Sequence, residues 1–352
     1  MIGSGSTFIS IFPVILALLA AALFGMAAPA SKQLLHTLNP FSLAGLLYLG
    51  ASAGLFPILI ARGEFRRLPG MDRGNLKKLT GAVVLGGIAG PILLLFGLQN
   101  AAASSVSLWL NMELVATAVL GTFFFRDHLG KIGWAGVLTA LASSIILTIH
   151  EGPSGIIPAA LTGLACLCWG FDNHFTALID GISAVQSTFI KGLFAGAVNT
   201  AIGHFLPGPA PAGEMILYSL LLGGLSYGLS IVLYIMSAQK LGATRSQVIF
   251  SSAPFFGVTF SVVFLSESIS PVQTVSIILF ITAISLLILE HHEHRHEHHE
   301  TEHTHIHRHD DLHHGHSHEE DVSYHEHSHR HDVTTHSHPH WPDLHHRHIH
   351  KD

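Results

Sequence analysis

Residues 98–130 read LQNAAASSVSLWLNMELVATAVLGTFFFRDHLG, and residues 238–270 read AQKLGATRSQVIFSSAPFFGVTFSVVFLSESIS. The two stretches align without a gap at a spacing of 140 residues. Three identical or chemically similar pairs anchor the alignment: Gln99 with Gln239, Ala103 with Ala243, and Asp127 with Glu267. Each copy contains a long apolar run followed by an acidic residue. The chain is therefore predicted to contain an internal repeat.

Apolar runs continue outward from these two copies along most of the chain. Of the 352 residues, 49% are hydrophobic and 11% are charged, whereas soluble proteins have about 25% charged residues. A helix needs about 20 apolar residues to cross the hydrocarbon of a bilayer. The runs lie near residues 8–30, 41–61, 79–98, 102–124, 132–149, 157–178, 184–205, 215–237, 244–265 and 270–289. They predict an all-α integral membrane protein with ten transmembrane helices.

The repeat divides these ten helices into two units of five. We predict one five-helix unit over residues 1–150, a second over 151–290, and a tail over 291–352. Because five is an odd number, the second unit must be inverted in the membrane relative to the first. Inverted repeats are typical of secondary transporters, which bind their substrate near the midplane between the two copies.

Lysine and arginine residues concentrate in the even-numbered loops between the predicted helices. They are Arg62, Arg66, Arg67, Arg73, Lys77, Lys78, Arg126, Lys131, Lys240 and Arg245. Basic residues in short loops stay in the cytoplasm. Both termini are therefore predicted to be cytoplasmic, in a protein of the prokaryotic cell (inner) membrane.

The segment LGATRSQVIFSSAPFFGVTFSVVFLSESIS (241–270) resembles the second-repeat pattern of the drug/metabolite transporter superfamily, EamA type. The similar features are a small-residue helix start, the mid-helix Pro254 and Glu267 just past the helix end. The likeness covers residues 8–289, and the first copy departs from it with Leu114 where proline is expected. The resemblance implies a ten-helix, inverted-repeat secondary carrier without its own ATPase. It leaves the substrate open, because such families move amino acids, nucleotide sugars, drugs and other metabolites.

Polar and charged side chains inside the spans are candidate substrate-binding groups, because each charge costs roughly 2.5–3.5 kcal/mol to insert. Glu113 lies near the middle of the fourth helix, with Asn111 two residues before it. It is a candidate ligand for a substrate, a cation or a proton, and a structural carboxyl is the alternative. Asp172, Asn173 and His174 follow one another in the sixth helix, and together they suit a cation or a zwitterion.

Two lysines in the spans have different predicted roles. Lys191 lies on the seventh helix at a depth similar to that of Asp172. It is a further candidate for substrate binding, and the competing interpretation is an Asp172–Lys191 pair that holds the two helices together. Lys32, at the end of the first helix, is expected to reach the membrane interface by snorkelling.

The tail is dominated by histidine: residues 291–352 contain 25 of the 30 histidines and 13 of the 23 acidic residues. It has almost no apolar side chains to bury, so we predict disorder in the absence of a ligand. Neutral imidazole is a good ligand for transition metals. We predict that the tail binds Zn, Ni or Co and that the protein requires no cofactor. The predicted metal ligands are His292, His294, His296, His298, His303, His305, His307, His309, His314, His316 and His318.

Two transport hypotheses follow. The first is a secondary active carrier of a small solute or metabolite whose cytoplasmic tail binds divalent transition metals. The alternative is a dedicated divalent metal-ion carrier whose tail buffers its cargo. A metal path should present several His, Asp, Glu or Cys ligands facing each other at the midplane.

Other classes of function are disfavoured. The inverted repeat argues against a receptor or scaffold that does not transport. The G-x-S-x-G motif at Gly224–Gly228 lies inside a predicted helix, without the strand–turn–helix context of a hydrolase, so no enzyme is predicted. The predicted partners are a small-molecule or ion substrate and the lipid bilayer, with a homodimer as a further candidate. The bases are few and scattered, and no nucleic-acid partner is predicted.

Overall fold

The chain forms a helical bundle followed by short strands in the tail. A computed structural model describes residues 11–64, 72–125, 129–179, 182–206, 211–241 and 249–289, together with 293–298, 301–307, 325–331 and 334–339. The ten predicted membrane spans are all present as helices, numbered below as spans 1 to 10, and the all-α membrane fold is confirmed.

The first repeat contains spans 1 to 5. Span 1 comprises α1 (Ile11–Gly25) and α2 (Ala27–Leu34), and span 2 is α3 (Pro40–Ala61). Span 3 comprises α4 (Arg73–Gly81), a π-helical segment (Ala82–Ala89) and α5 (Gly90–Gln99). Span 4 comprises α6 (Ala103–Trp109) and α7 (Met112–Phe124), and span 5 is α8 (Lys131–His150).

The second repeat contains spans 6 to 10. Span 6 is α9 (Pro153–Ala177), and span 7 is α10 (Ala184–Phe205). Span 8 comprises α11 (Gly213–Gly223), a second π-helical segment (Gly224–Leu229) and α12 (Ser230–Leu241). Spans 9 and 10 are α13 (Ala253–Leu265) and α14 (Pro271–Leu289).

Length and hydropathy support a membrane location for these helices. Within the described residues, seven of the ten spans are long and apolar enough to cross a bilayer, α13 and α14 are shorter apolar helices, and α10 belongs to neither group. Large apolar side chains also point outward: Phe123, Phe124, Ile149 and Phe264 are 68–73% exposed. Such surfaces suit lipid and not water. The chain is an integral membrane protein.

Local sequence signals start several of the helices. Asn39 caps α3 by accepting a hydrogen bond from the Ser42 amide at 2.8 Å, and Pro40 is the first helical residue. Ser183 and Gln186 form a reciprocal capping box at the start of α10. These caps keep the connections between spans short.

The packing of the spans follows the symmetry of the repeat. Span 1 packs against spans 8 and 9, and the equivalent span 6 packs against spans 3 and 4. Spans 2 and 7 form one close pair, spans 5 and 10 another, and spans 4 and 9 also meet. Exchanging spans 1–5 with spans 6–10 leaves this set of contacts unchanged. The fold therefore consists of two inverted repeats related by a pseudo-two-fold axis, as the odd number of helices predicted.

Glycines allow the closest crossings in the bundle. A Cβ added to Gly223 of α11 would lie 2.0 Å from the Leu47 carbonyl oxygen of α3. One added to Gly45 would lie 2.4 Å from the backbone nitrogen of Thr200 in α10. Backbone atoms cannot move aside as a flexible side chain can, so these positions require glycine. Small residues at helix crossings are the usual means of close packing in membranes.

Irregular backbone recurs at equivalent places in the two repeats. The π-helical segments of spans 3 and 8 correspond at the repeat spacing, and spans 4 and 9 are interrupted by turns at 110–111 and 251–252. Pro254 explains the second interruption, because proline has no amide hydrogen for the carbonyl one turn earlier. Span 4 is interrupted although it has Leu114 instead of proline. There the Leu108 carbonyl accepts hydrogen bonds from both the backbone amide and the side-chain Nδ2 of Asn111, each at 3.1 Å.

The π-helical segment of span 3 has its free carbonyls satisfied by three other spans. The Gly86 carbonyl accepts hydrogen bonds from Tyr48 Oη at 2.7 Å and Trp169 Nε1 at 3.0 Å. The Gly87 carbonyl accepts one from Asn199 Nδ2 at 3.2 Å. Non-helical backbone is tolerated at membrane depth only with partners of this kind.

The described residues of the tail form four short strands. These are β1 (Glu293–His298), β2 (Thr301–His307), β3 (His325–His331) and β4 (Thr334–Pro339). Strand β1 pairs antiparallel with β4, and β2 pairs antiparallel with β3. The alternation of histidine with another residue has the two-residue period of a strand.

Candidate functional site

A small central cavity of about 20 Å³, which is room for about one water molecule, lies between spans 1, 3, 4, 6, 8 and 9. These six spans are three equivalent pairs, so the cavity lies on the pseudo-two-fold axis. Its lining is mostly apolar and includes Phe24, Trp169 and Tyr227. The buried Ser107 hydroxyl also lines it and has no hydrogen-bond partner among the described residues. A hydroxyl in that state is available to a bound solute.

The interruptions of the helices surround this cavity. Gly25 and Ala27 flank the irregular residue in span 1, and Leu110 lies at the interruption of span 4. Ala253 is the first residue of α13, and Tyr227 lies in the second π-helical segment. All of these residues line the cavity. Discontinuous helices that meet at the interface of inverted repeats are the usual construction of a transporter substrate site.

Five aromatic rings follow one another beside the cavity. The ring centres of Tyr48 and Tyr227 are 5.6 Å apart, and those of Tyr227 and Phe24 are 5.7 Å apart. Phe250 continues the series 5.5 Å from Phe24, and Tyr234 lies 5.2 Å from Phe250. The sequence analysis missed this aromatic row. Its members come from spans 1, 2, 8 and 9, so no single stretch of sequence indicates it.

Glu113 occupies the first turn of α7, directly after the interruption of span 4. Its carboxylate oxygen Oε1 accepts a hydrogen bond from Asn173 Nδ2 at 3.0 Å, and the same nitrogen lies 3.2 Å from Thr117 Oγ1. Two predicted site residues are thus brought together. Asn111 does not join them, since its side-chain amide bonds within its own helix.

Asp172 and Lys191 form an ion pair between spans 6 and 7. Lys191 Nζ lies 2.6 Å from Asp172 Oδ2, and Thr176 Oγ1 donates to Asp172 Oδ1 at 3.1 Å. Both side chains are largely buried. This contact agrees with the interpretation in which Asp172 and Lys191 join spans 6 and 7. It also neutralises the charge of Lys191.

His174 lies on the same side of span 6 as Asn173. Its Nε2 is 2.9 Å from the Thr117 carbonyl oxygen, and its ring stacks on Phe125 with ring centres 4.2 Å apart. The three consecutive polar residues of span 6 therefore divide between two neighbours. Asp172 faces span 7, whereas Asn173 and His174 face span 4.

Lys32 contacts the turn between spans 3 and 4. Its ammonium group donates to the carbonyls of Leu98, Gln99 and Ala101 at 2.7, 3.0 and 2.9 Å. These carbonyls, at the end of α5 and in the turn that follows, offer the ammonium group three acceptors. Next to it, Glu267 accepts hydrogen bonds from the amides of Ala103 and Ser104 at the start of α6. Together they hold the turn between spans 3 and 4.

The described residues contain no group of three or more His, Cys, Asp or Glu side chains that could hold a metal ion. Of the predicted tail ligands, His292, His309, His314, His316 and His318 lie outside the described residues. The other six lie in the strands of the tail: His294, His296 and His298 in β1, and His303, His305 and His307 in β2. Metal binding by the tail stays a prediction.

Comparison with known proteins is consistent with this architecture. The EamA-like transporter family matches residues 11–149 and again 156–289. A protein of Methanothermobacter thermautotrophicus named "Uncharacterized transporter" is 25% identical over 288 residues, which cover 75% of this chain and 82% of the relative. A solved crystal structure shares the fold with a TM-score of 0.58 at 16% identity, covering 78% of this chain and 94% of the other. The molecule is a transporter and not an enzyme, and the chain belongs to the EamA-like transporter family.

Proposed function

We propose that this membrane transporter is a secondary active carrier of a small organic solute that binds in the central cavity. The observation that carries the proposal is the position of Glu113, a carboxylate on the first turn after the interruption of span 4, where Leu110 lines the cavity. A carboxylate at this depth is costly unless it has a partner. A solute with a positively charged or hydrogen-bond-donating group would supply that partner.

The two repeats pack alike around the cavity. Gly25 of span 1 packs against Ala253 and Gly257 of span 9. In the other repeat, Gly170 of span 6 packs against Ala116 and Thr117 of span 4. The two glycines therefore mark equivalent positions in the two halves.

The chemistry of the two halves differs at these equivalent positions. At the repeat spacing of 140 residues, Glu113 and Thr117 of span 4 correspond to Ala253 and Gly257 of span 9. One side of the axis is therefore polar and acidic, and the other is apolar. This supports a solute with one polar end and one apolar end.

The alternative of a divalent metal-ion carrier has support only from the tail. A metal path through the bundle would need several ligands around one point, and the search of the described residues finds no such group. Transport by the reconstituted full chain, measured in vesicles with a panel of amines, amino acids and divalent metals, separates the two hypotheses. Movement of metals alone would overturn the proposed function.

We propose that both termini face the cytoplasm. The support is the concentration of Lys and Arg in the even-numbered loops, as in the stretch between spans 2 and 3. A reporter that is active only in the cytoplasm, fused after Asp352, is expected to be active in cells. If a reporter that works only outside the cytoplasm is active when it is fused after Asp352, this topology is wrong.

We propose that the tail binds several transition-metal ions reversibly and regulates or supplies the carrier from outside the transport path. The support is the density of histidine, 25 residues between 291 and 352, whose neutral form is the ligand. Imidazole has a reference pKa of about 6.5. Binding should therefore be present at neutral pH and weaken as the pH falls to about 5.5, because protons then occupy the ligand nitrogens.

The tail proposal is tested on the full chain and on a chain ending at Glu290. Calorimetric titration with zinc and with nickel should give binding to the full chain at neutral pH, and little to the truncated chain. Vesicle transport of the organic solutes should continue after truncation. Equal metal binding by both chains would contradict the first half of the proposal, and complete loss of transport by a stable truncated chain would contradict the second.

A further inference from the structure

The described strands of the tail pair histidine with histidine. The two residues of each pair occupy opposite positions in an antiparallel ladder, so they are neighbours across the strands. The pairs are His294 with His338 and His296 with His336 in β1·β4, and His303 with His329, His305 with His327 and His307 with His325 in β2·β3. The backbone register therefore brings together potential metal ligands that are far apart in the sequence.

The register also places the histidines of each sheet on a single face. Alternate residues of a strand share a face, and so do residues that are paired across the ladder. The opposite face of β2·β3 has Glu302, Thr304, Ile306, Glu326, Ser328 and Arg330, and within the described strands that of β1·β4 also lacks histidine. A shift of one residue in the register would put the histidines of the two strands on opposite faces. The pairing gathers them, and not the histidine content alone.

The spacing of these pairs suits a tetrahedral metal ion. Paired Cα atoms of an antiparallel sheet lie about 4.5–5.5 Å apart, and the next pair on the same face lies about 7 Å further along the strands. Two neighbouring pairs therefore place four histidines around one point. Zn²⁺ takes four ligands in its usual tetrahedral geometry, and neutral imidazole is also a good ligand for Ni²⁺ and Cu²⁺.

A bound ion would stabilise sheets that have little else to hold them together. A two-stranded sheet is marginally stable in water by itself. Ile306 is the only large apolar residue in the four described strands. Because an ion held by a cross-strand pair joins both strands, the free energy of metal binding also favours the strand pairing.

We propose that each tail sheet binds one divalent transition-metal ion between two neighbouring histidine pairs, and that the ion fixes the register of the strands. In β1·β4 both histidine pairs are ligands. In β2·β3 the central pair of His305 and His327 belongs to the site, and one flanking pair completes it. The inference rests on the proposed metal binding by the tail and adds the ligands and their arrangement. No group of three or more ligands is already assembled among the described residues, so the site forms as the ion binds.

Two double variants of the purified full chain test the pairing, with zinc as the probe. The number of tightly bound zinc ions is measured at neutral pH by competition with a chromophoric chelator. His305→Ala and His327→Ala should each lose about one ion, and so should the double variant, because both changes break the same site. The double variant His305→Ala, His336→Ala removes the same number of histidines from two different sheets. It should lose about two ions, since separate sites contribute additively.

Amide hydrogen exchange of the same proteins tests the effect on the strands. With free zinc at ten times its Kd, exchange in residues 301–307 and 325–331 of the unmodified chain should slow about tenfold. The double variant His305→Ala, His327→Ala should lose this protection. It should keep the protection of residues 293–298 and 334–339, which belong to the other sheet.

The outcomes separate this inference from the proposed function. Equal loss of zinc from the two double variants would overturn the cross-strand sites and leave metal binding by the tail standing. Zinc binding that leaves the exchange of the strand amides unchanged would overturn the effect on the register. Failure of the unmodified chain to bind zinc would overturn both the sites and the tail proposal. The proposed transport of an organic solute is measured separately in vesicles.

Discussion

Replacing Glu113 with glutamine should lower transport by at least about 30-fold while the protein still inserts and folds. Removing one partner of a buried charge pair costs about 2–5 kcal/mol, and 2 kcal/mol corresponds to about 30-fold in affinity. Glutamine has nearly the same shape and can still accept the hydrogen bond from Asn173 Nδ2 that Oε1 accepts at 3.0 Å. The loss would therefore come from the charge and not from packing. Initial rates of amine uptake into vesicles measure the effect.

Two comparisons make the Glu113 result decisive. Glu113→Asp keeps the charge but shortens the side chain, so it should retain more transport than Glu113→Gln. The exposed-surface variant Glu214→Gln should transport at the unmodified rate. Unmodified rates in a correctly inserted Glu113→Gln protein would mean that the carboxyl is structural.

Replacing Asp172 with asparagine should lower the free energy of unfolding by about 3–5 kcal/mol. The change leaves the Lys191 ammonium group, whose side chain is 15% exposed, buried without a counter-charge. Breaking a buried ion pair on one side costs about that much, whereas replacing both partners by neutral groups is often neutral or stabilising. The double variant Asp172→Asn, Lys191→Met should therefore recover most of the stability. Thermal unfolding in detergent measures both changes.

The double variant also distinguishes the two interpretations of this pair. If Asp172 and Lys191 only join spans 6 and 7, a stable double variant should transport at close to the normal rate. A stable double variant without transport would place the pair in the substrate path. If the single Asp172→Asn protein is as stable as the unmodified chain, the pair contributes little to stability.

The fold could be predicted well because membrane helices depend on local composition. Runs of about 20 apolar residues identified every span, and the alignment of Asp127 with Glu267 indicated the repeat. The interruption of span 4 was harder to foresee. It occurs without the proline that marks span 9, and the Asn111 side chain donates to the Leu108 carbonyl within the same turn.

The site was predicted only in part because its geometry depends on contacts between distant spans. The depth of Glu113 was clear from the sequence, but its bond to Asn173, 60 residues away, was not. The Asp172–Lys191 contact had been one of two interpretations. The acceptors of Lys32 were not foreseen, because they are backbone carbonyls 66–69 residues away. Composition carries no information about such acceptors.

The unequal chemistry of the two repeats has a consequence for the resting state of the carrier. Two identical halves would make the inward-facing and outward-facing forms mirror each other and share the same energy. Here Glu113 in one half is matched by Ala253 in the other, although Gly170 and Gly25 keep the same packing. Exchanging the conformations of the halves therefore changes the surroundings of a single carboxyl group. The empty carrier is therefore expected to prefer one orientation.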